Sequence, residues 1–338
     1  MSGLTKKVVA LAGMSAFVAG SAVAAELTVV SWGGAYTKSQ VEAYHKPWMA
    51  QSGHSIISED YGGGIAEIKA QVESGNVTWD VVDVELSDAI RACDEGLLEE
   101  IDHSSLPAAP DGTPAVDDFL PGTLHDCAVA NIVWSSVYVY DSSKVRNWNA
   151  PKTMADFFNT EAYPGKRGMR KSPKVTMEFA LIADGVPTSE VYDVLSTEEG
   201  IARAFAKLDT IKDEITWYDS WSQAPVLLND GGATMVQSAN GRIFAAIKDD
   251  GAPFEIVWDS HIYDLDVWAI MKGTEKKEEA MEFIKFATGT VPLSGMQDVA
   301  YGPTRASAQA LLPEEVKKDL PTAHLDEGVN YSHRIRSP

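Results

Sequence analysis

The sequence predicts an α/β protein of two lobes, each a mostly parallel mixed sheet with helices on both faces. Three observations carry this. Strand and helix patterns alternate in two series of about 110 residues each. One strand, "WDVVDVE", is almost continuously apolar, as a sheet covered on both faces requires. Two long extended stretches, near 130–140 and 256–270, can pass between the lobes as a two-strand hinge.

In chain order, "ELTVVSWGG" is a strand ending in glycines, and "YTKSQVEAYHKPWMAQSG" has helical spacing closed by Gly53. "HSIISEDYGGG" gives a strand and a Gly-rich turn, and "IAEIKAQVESG" a helix stopped at Gly75. After "WDVVDVE", the stretch "LSDAIRACDEGLLEEI" is helical and "CAVANIVWSSVYVYD" is extended. The second series has a short helix in "MADFFNT" and a strand and turn in "GKRGMRK". Helices follow in "TMEFALIADG" and "EEGIARAFAKLDTI", the latter with apolar positions Ile201, Phe205 and Leu208. "GATMVQSANGRIFAAIKDDG" is strand, turn and helix, and "FEIVWDSHIYDLDVWAIMKG" supplies two strands. "KKEEAMEFIKFATG" is an amphipathic helix capped by Gly289.

At 338 residues, with 45% hydrophobic and 23% charged, the chain is globular. A net charge of −21 argues against nucleic acid and against anionic membrane surfaces as partners. The N-terminus has Lys6 and Lys7, an apolar run from Val8 to about Ala19, and Ala22-Val23-Ala24. That is a three-part secretory leader, so residues 1–24 are expected to be removed and the product to be periplasmic. No later apolar run reaches the roughly 18 residues of a membrane span. In an exported chain two cysteines, Cys93 and Cys127, predict a disulfide, two buried thiols being the alternative.

The ordered series "LTVVSWGGAYT", "DYGGGIAEIKAQVESG", "WDVVDVELSD" and "EGLLEEID" resembles the first half of periplasmic solute-binding proteins of ABC importers. "MVQSANGRIFAAIKDDGAPFEIVW", "LDVWAIMKGTEKKEEAMEFIKFATG" and "AYGPTR" resemble the second half. The branch is the spermidine/putrescine-binding type, which includes γ-aminobutyrate binders. The resemblance implies a type II periplasmic-binding-protein fold, a monomer that closes on its ligand and docks on a membrane permease, with no catalysis and no cofactor. It implies lobe 1 at 25–135 and 262–306, and lobe 2 at 136–261 and 307–338. The chain departs from the family in ending without an aromatic-rich helix, which raises the expectation of a truncated or divergent C-terminus.

By the same resemblance Trp32 matches a cleft tryptophan and Asp266 the aspartate that receives a ligand amine. Tyr301 lies one residue from the position of a cleft aromatic. The residues themselves add Gly33, whose backbone can approach a ligand, Tyr36 and Tyr61 as further aromatic faces, and Glu85 at a strand end, where it either meets the ligand or caps the next helix. The segment "WYDSWSQ", including Ser220, is a possible further wall. The basic run "GKRGMRKSPK" stands where polyamine binders carry acids. Arg170, together with Arg242 of "SANGR", is expected to grip a carboxylate, since a guanidinium offers two parallel hydrogen bonds. Lys166, Arg167, Lys171 and Lys174 are assigned to solvated surface.

The expected ligand is therefore an aminocarboxylate such as γ-aminobutyrate, with putrescine or spermidine as the alternative. An exported enzyme on the same fold is a remote reading. No G-x-S-x-G, H-E-x-x-H or Walker pattern occurs, and the seven histidines have no metal spacing. Iron(III) binding would call for adjacent tyrosines, and Tyr301 stands alone.

Overall fold

The computed structural model describes residues 24–145 and 149–331. The leader expected at 1–24 therefore falls, Ala24 apart, outside the described residues.

The described strands are β1 (Glu26–Ser31), β2 (Ser55–Asp60), β3 (Val81–Glu85), β4 (Leu124–His125), β5 (Ala128–Asp141), β6 (Arg167–Arg170), β7 (Ile215–Tyr218), β8 (Met235–Ala239), β9 (Phe254–Ile270), β10 (Gly302–Pro303) and β11 (Val329–Asn330). They run in the order β2-β1-β3-β9-β5-β8-β6-β7, with β4 and β10 on β5 and β11 on β9. The outer trios β2-β1-β3 and β8-β6-β7 are parallel within themselves. Each trio meets the central β5–β9 pair in antiparallel fashion.

The two strands of the hinge explain how two sheets become one ladder. β5 spans about 45 Å at about 3.3 Å per residue, enough to serve both trios. Its residues 128–134 pair with the end of β9 that carries β3, and residues 136–140 pair with β8. Every residue of β5 is buried, as expected of a strand covered on both faces along its whole length. Between the two halves the β5–β9 register shifts at Ser136/Tyr138, and Ser260 takes a positive φ of 55°. Those irregularities mark where the ladder bends.

Four expectations about elements are corrected. β9 is one 17-residue strand rather than two: its pairing with β5 lapses only over residues 258–261, around Ser260, and resumes on the other side. The helix after β3 ends at Asp94, with Leu98 bridging to Met271. The last long helix, Lys277–Ala287, ends at Thr288, and Gly289 instead starts the next helix. In the helix Glu198–Asp209 the buried face is Gly200, Ala204 and Leu208, while Ile201 and Phe205 are exposed. Periodicity found the helix but rotated its inner face by about a turn's fraction, since small residues pack closest to the neighbouring chain.

One core lies under the helices Ala66–Ser74 and Leu86–Asp94, where Ile68, Ala89 and Ala92 meet Val30, Val82, Val84 and Val267. Another gathers Phe157, Phe179, Leu181 and Ala204 against Tyr138 and Met235. Cys93 and Cys127 form the expected disulfide, tying that second helix to the start of β5 across 34 residues. Closing a loop of that size stabilises by roughly 3–4 kcal/mol through the unfolded chain. Cys93→Ser with Cys127→Ser is expected to lower the urea-unfolding free energy by about that amount; an unchanged value would contradict this.

Candidate functional site

β3 carries Asp83 and Glu85, and β9 carries Asp264 and Asp266. Glu85 stands directly opposite Asp266, and Trp134 of β5 opposite Asp264. Side chains alternate with period two along a strand, so all four acids share one face of the sheet. All four are nearly inaccessible to solvent. Asp83 is held by Ser31 and Gln40, and the Tyr61 hydroxyl donates to its backbone carbonyl at 2.9 Å.

The opposite wall comes from β8 and the helix Asn240–Asp250, which places Arg242 in its first turn. Arg242 is buried and reaches across to the turn after β1. Its Nη1 donates to the Gly33 carbonyl and its Nη2 to the Trp32 carbonyl, both at 3.0 Å. Gly34 makes this approach possible: a Cβ there would lie 2.7 Å from Nη1, and its φ of 62° already disfavours any side chain. Gly63 does the same for Trp32, whose ring would meet a Cβ at 2.2 Å.

Trp32, Tyr36, Glu85, Arg242, Asp266 and Tyr301 line one cavity of about 20 Å³, completed by Trp134, Trp221 and Ala239. That is room for about one water molecule, so a ligand with several heavy atoms enters only if the walls move apart. The Tyr36 and Tyr301 rings meet edge-on at 5.0 Å, and Trp134 and Trp221 at 5.8 Å. A neighbouring cavity of about 10 Å³ shares Glu85, Trp134 and Trp221, and adds Arg170, Lys174 and Asp264.

Three sequence-predicted residues stand outside both cavities. Gly33 contributes its carbonyl to Arg242, Tyr61 packs behind Trp32 at 5.3 Å, and Ser220 bonds Ser222 near the surface. Arg170 sits in the second cavity, its guanidinium 4.8 Å from the Trp221 ring and its Nη2 3.2 Å from the Gly62 carbonyl. Glu85 does not cap its helix through its side chain; it binds Lys174 instead, at 2.6 Å.

Two basic residues assigned to solvated surface are not there. Arg167 is fully buried and donates to the carbonyls of Phe157, Asn159, Tyr163 and Gly165, so it ties a loop together. Lys174 crosses the cleft to Glu85 and Asp88. Asp83, Asp264 and Trp134 were not singled out from sequence. The signal for the acids was present: "DVVDVE" and "YDLDVW" each place two carboxylates at i, i+2, hence on one face.

Burial pushes Asp83 up from 3.8 to about 7, against the hydrogen bonds from Gln40 and Ser31 that lower it. Burial also raises Asp266 well above the carboxylate range, reinforced by the charges of Asp83, Glu85 and Asp264. Such a cluster discharges itself by holding a proton or by accepting a cation. Among the described residues, Asp266 Oδ1 and Arg242 Nε have no hydrogen-bond partner, nor do the indole nitrogens of Trp32 and Trp134. Buried polar atoms of this kind ordinarily find partners, and these four belong to residues lining one cavity.

The family pattern described as bacterial extracellular solute-binding protein matches residues 44–322. The chain belongs to that family. A relative, the gamma-aminobutyric acid-binding protein of Pseudomonas aeruginosa, is 43% identical over 314 residues, covering 93% of this chain and 86% of its own. Among solved structures, AgtB of Agrobacterium tumefaciens R10, in complex with agropinic acid, is 33% identical with a TM-score of 0.80, covering 91% of this chain and 93% of its own. The GABA receptor Atu4243 is 32% identical with a TM-score of 0.77, covering 90% and 91%. This solute-binding protein therefore has the two-lobe type II fold, is not an enzyme, acts outside the cytoplasm, and serves an ABC importer by binding a small molecule.

Proposed function

We propose that this solute-binding protein captures an aminocarboxylate, γ-aminobutyrate or a close analogue, by closing two lobes around it. One observation carries the reading: an unpartnered carboxylate oxygen of Asp266 and an unpartnered guanidinium N–H of Arg242 stand on different walls of one small aromatic cavity. An ammonium satisfies the first and a carboxylate the second. The aromatic rings suit the methylene chain and the ammonium between them. The names of the Pseudomonas relative and of Atu4243 favour the same ligand.

In this reading the lobes are 25–135 with 262–306, and 136–261 with 307–338. They turn about β5 and β9, and the ligand shifts the open–closed equilibrium by contacting both. The mature protein starts after Ala24 and works in the periplasm as a monomer, delivering the ligand to the permease. Thermal-shift screening against γ-aminobutyrate, putrescine, spermidine and the common amino acids tests this. The largest stabilisation is expected with γ-aminobutyrate; stabilisation by diamines alone would reject it.

The acids also set a pH dependence. A carboxyl raised in the folded state holds its proton longer than in the unfolded chain, so its contribution to unliganded stability falls as pH rises from about 4 to about 7. A bound ammonium reverses that cost by replacing the proton. Affinity for γ-aminobutyrate is thus expected to rise between pH 5 and about 7, with net proton release on binding. Calorimetry in buffers of different ionisation enthalpy checks this; proton uptake would contradict it.

A further inference from the structure

Lys174 lies in the loop between β6 and the helix Thr176–Ala183, yet its ammonium is on the far side of the cleft. Nζ stands 2.6 Å from Glu85 Oε2, 3.1 Å from Asp88 Oδ2 and 3.1 Å from Ser87 Oγ. An ammonium has three N–H donors, and all three are spent here. Lys174 therefore has nothing left to offer a ligand carboxylate. Its charge is secure: burial lowers its pKa, but the carboxylates of Glu85 and Asp88 outweigh that and raise it. The loop is built to hold this reach, for the adjoining Val175 takes a φ of 69°, which a β-branched residue adopts only under constraint.

The cage around Nζ opens onto the ligand site. Glu85, Trp134 and Trp221 line both cavities, and Glu85 is the cross-strand partner of Asp266. Asp266 Oδ1, in a residue only 6% exposed, faces this same junction without a partner. The junction thus has two carboxylate stations for ammonium groups, one with a carboxylate oxygen left unpartnered at Asp266 and one filled by the protein's own lysine.

We propose that Lys174 is a specificity-determining residue: its ammonium occupies the Glu85–Ser87–Asp88 cage in place of the second amine of a diamine, so the site accepts one ligand ammonium and rejects two. A diamine laid along Trp134 and Trp221 from Asp266 toward Glu85 meets a like charge, which is a repulsive element directed at a competitor of the same length. This deepens the aminocarboxylate reading and rests on it for the identity of the favoured ligand.

The test is calorimetric titration of wild type, Lys174→Met and Lys174→Arg with putrescine and with γ-aminobutyrate. Lys174→Met is expected to bind putrescine about tenfold tighter than wild type or better, and Lys174→Arg to restore the rejection. Lys174→Met combined with Asp88→Asn removes one charge of each sign and carries the same expectation, which guards against misfolding of the single variant. A mere interlobe latch would weaken both ligands alike; the preference between them must change. Folded variants that bind putrescine no better than wild type overturn the inference, as does wild type binding putrescine as tightly as γ-aminobutyrate. Wild type that ignores γ-aminobutyrate while Lys174→Met gains putrescine overturns the aminocarboxylate reading and supports this one.

Discussion

Asp266→Asn removes the binding of γ-aminobutyrate while leaving the fold as stable as before, or more so. The side chain is buried, and burial with three neighbouring acids holds its pKa well up, so in the unliganded protein the charge is a liability. The amide keeps the shape and discards the charge. The ligand ammonium then loses the counter-charge that receives it, a truncation that costs roughly 2–5 kcal/mol, or about 30-fold to several thousand-fold in Kd. Thermal unfolding and titration on the same sample separate the two effects. Binding within a few-fold of wild type would show that the ammonium sits elsewhere, with Asp83 the next candidate on the same face.

Arg242→Ala should do comparable damage by a different route. Its guanidinium makes two bonds across the cleft, to the carbonyls of Gly33 and Trp32, and keeps Nε for the cavity. Alanine removes the grip on a ligand carboxylate and part of what holds the lobes together, so a loss of about 2–5 kcal/mol in binding is expected. Arg242→Lys restores the charge without the planar fork and should recover only a fraction. Small-angle scattering distinguishes the two contributions: a more expanded unliganded protein reports the lost latch, and a ligand that no longer compacts it reports the lost grip. Unchanged affinity in Arg242→Ala would remove the positive pole from the site.

How far the sequence foretold these residues follows from what a local pattern can report. Periodicity and glycine placement located the strands and helices because each element answers to its own burial, as "WDVVDVE" does in becoming the fully buried β3. Cys93 and Cys127 were legible from count and compartment. Six candidates converge on one cavity, since strand ends and the turn after β1 lie where the two halves meet. Whether a basic side chain lies in solvent or across a cleft is a different matter. Lys174 finds its acids some 89 residues away, and Arg167 finds carbonyls of a loop with no charge to advertise it. The partners of Lys174 are remote in sequence, and those of Arg167, though within ten residues, are backbone carbonyls that every residue type carries. Ile201 and Phe205 mislead for the converse reason: an apolar stripe says which side of a helix tolerates burial, while Gly200 and Ala204 decide how closely it can pack.

The cluster of acids is the part of the site that a pattern could have given and that a single-residue reading passed over. Two strands each bearing carboxylates at i, i+2 are individually ordinary. Paired in antiparallel register with Glu85 opposite Asp266, they become a buried concentration of negative potential. In the proposed reading that potential attracts a cation, and Arg242 on the other wall requires the cation to carry an anion with it.

The most direct measurement of this bipolar cavity is calorimetric titration with γ-aminobutyrate and with its two halves, butylamine and butyrate, under one set of conditions. The account predicts binding of the zwitterion and a loss of about 30-fold or more for each half, because each leaves one buried pole unpaired. Butylamine or butyrate binding as tightly as γ-aminobutyrate would contradict it.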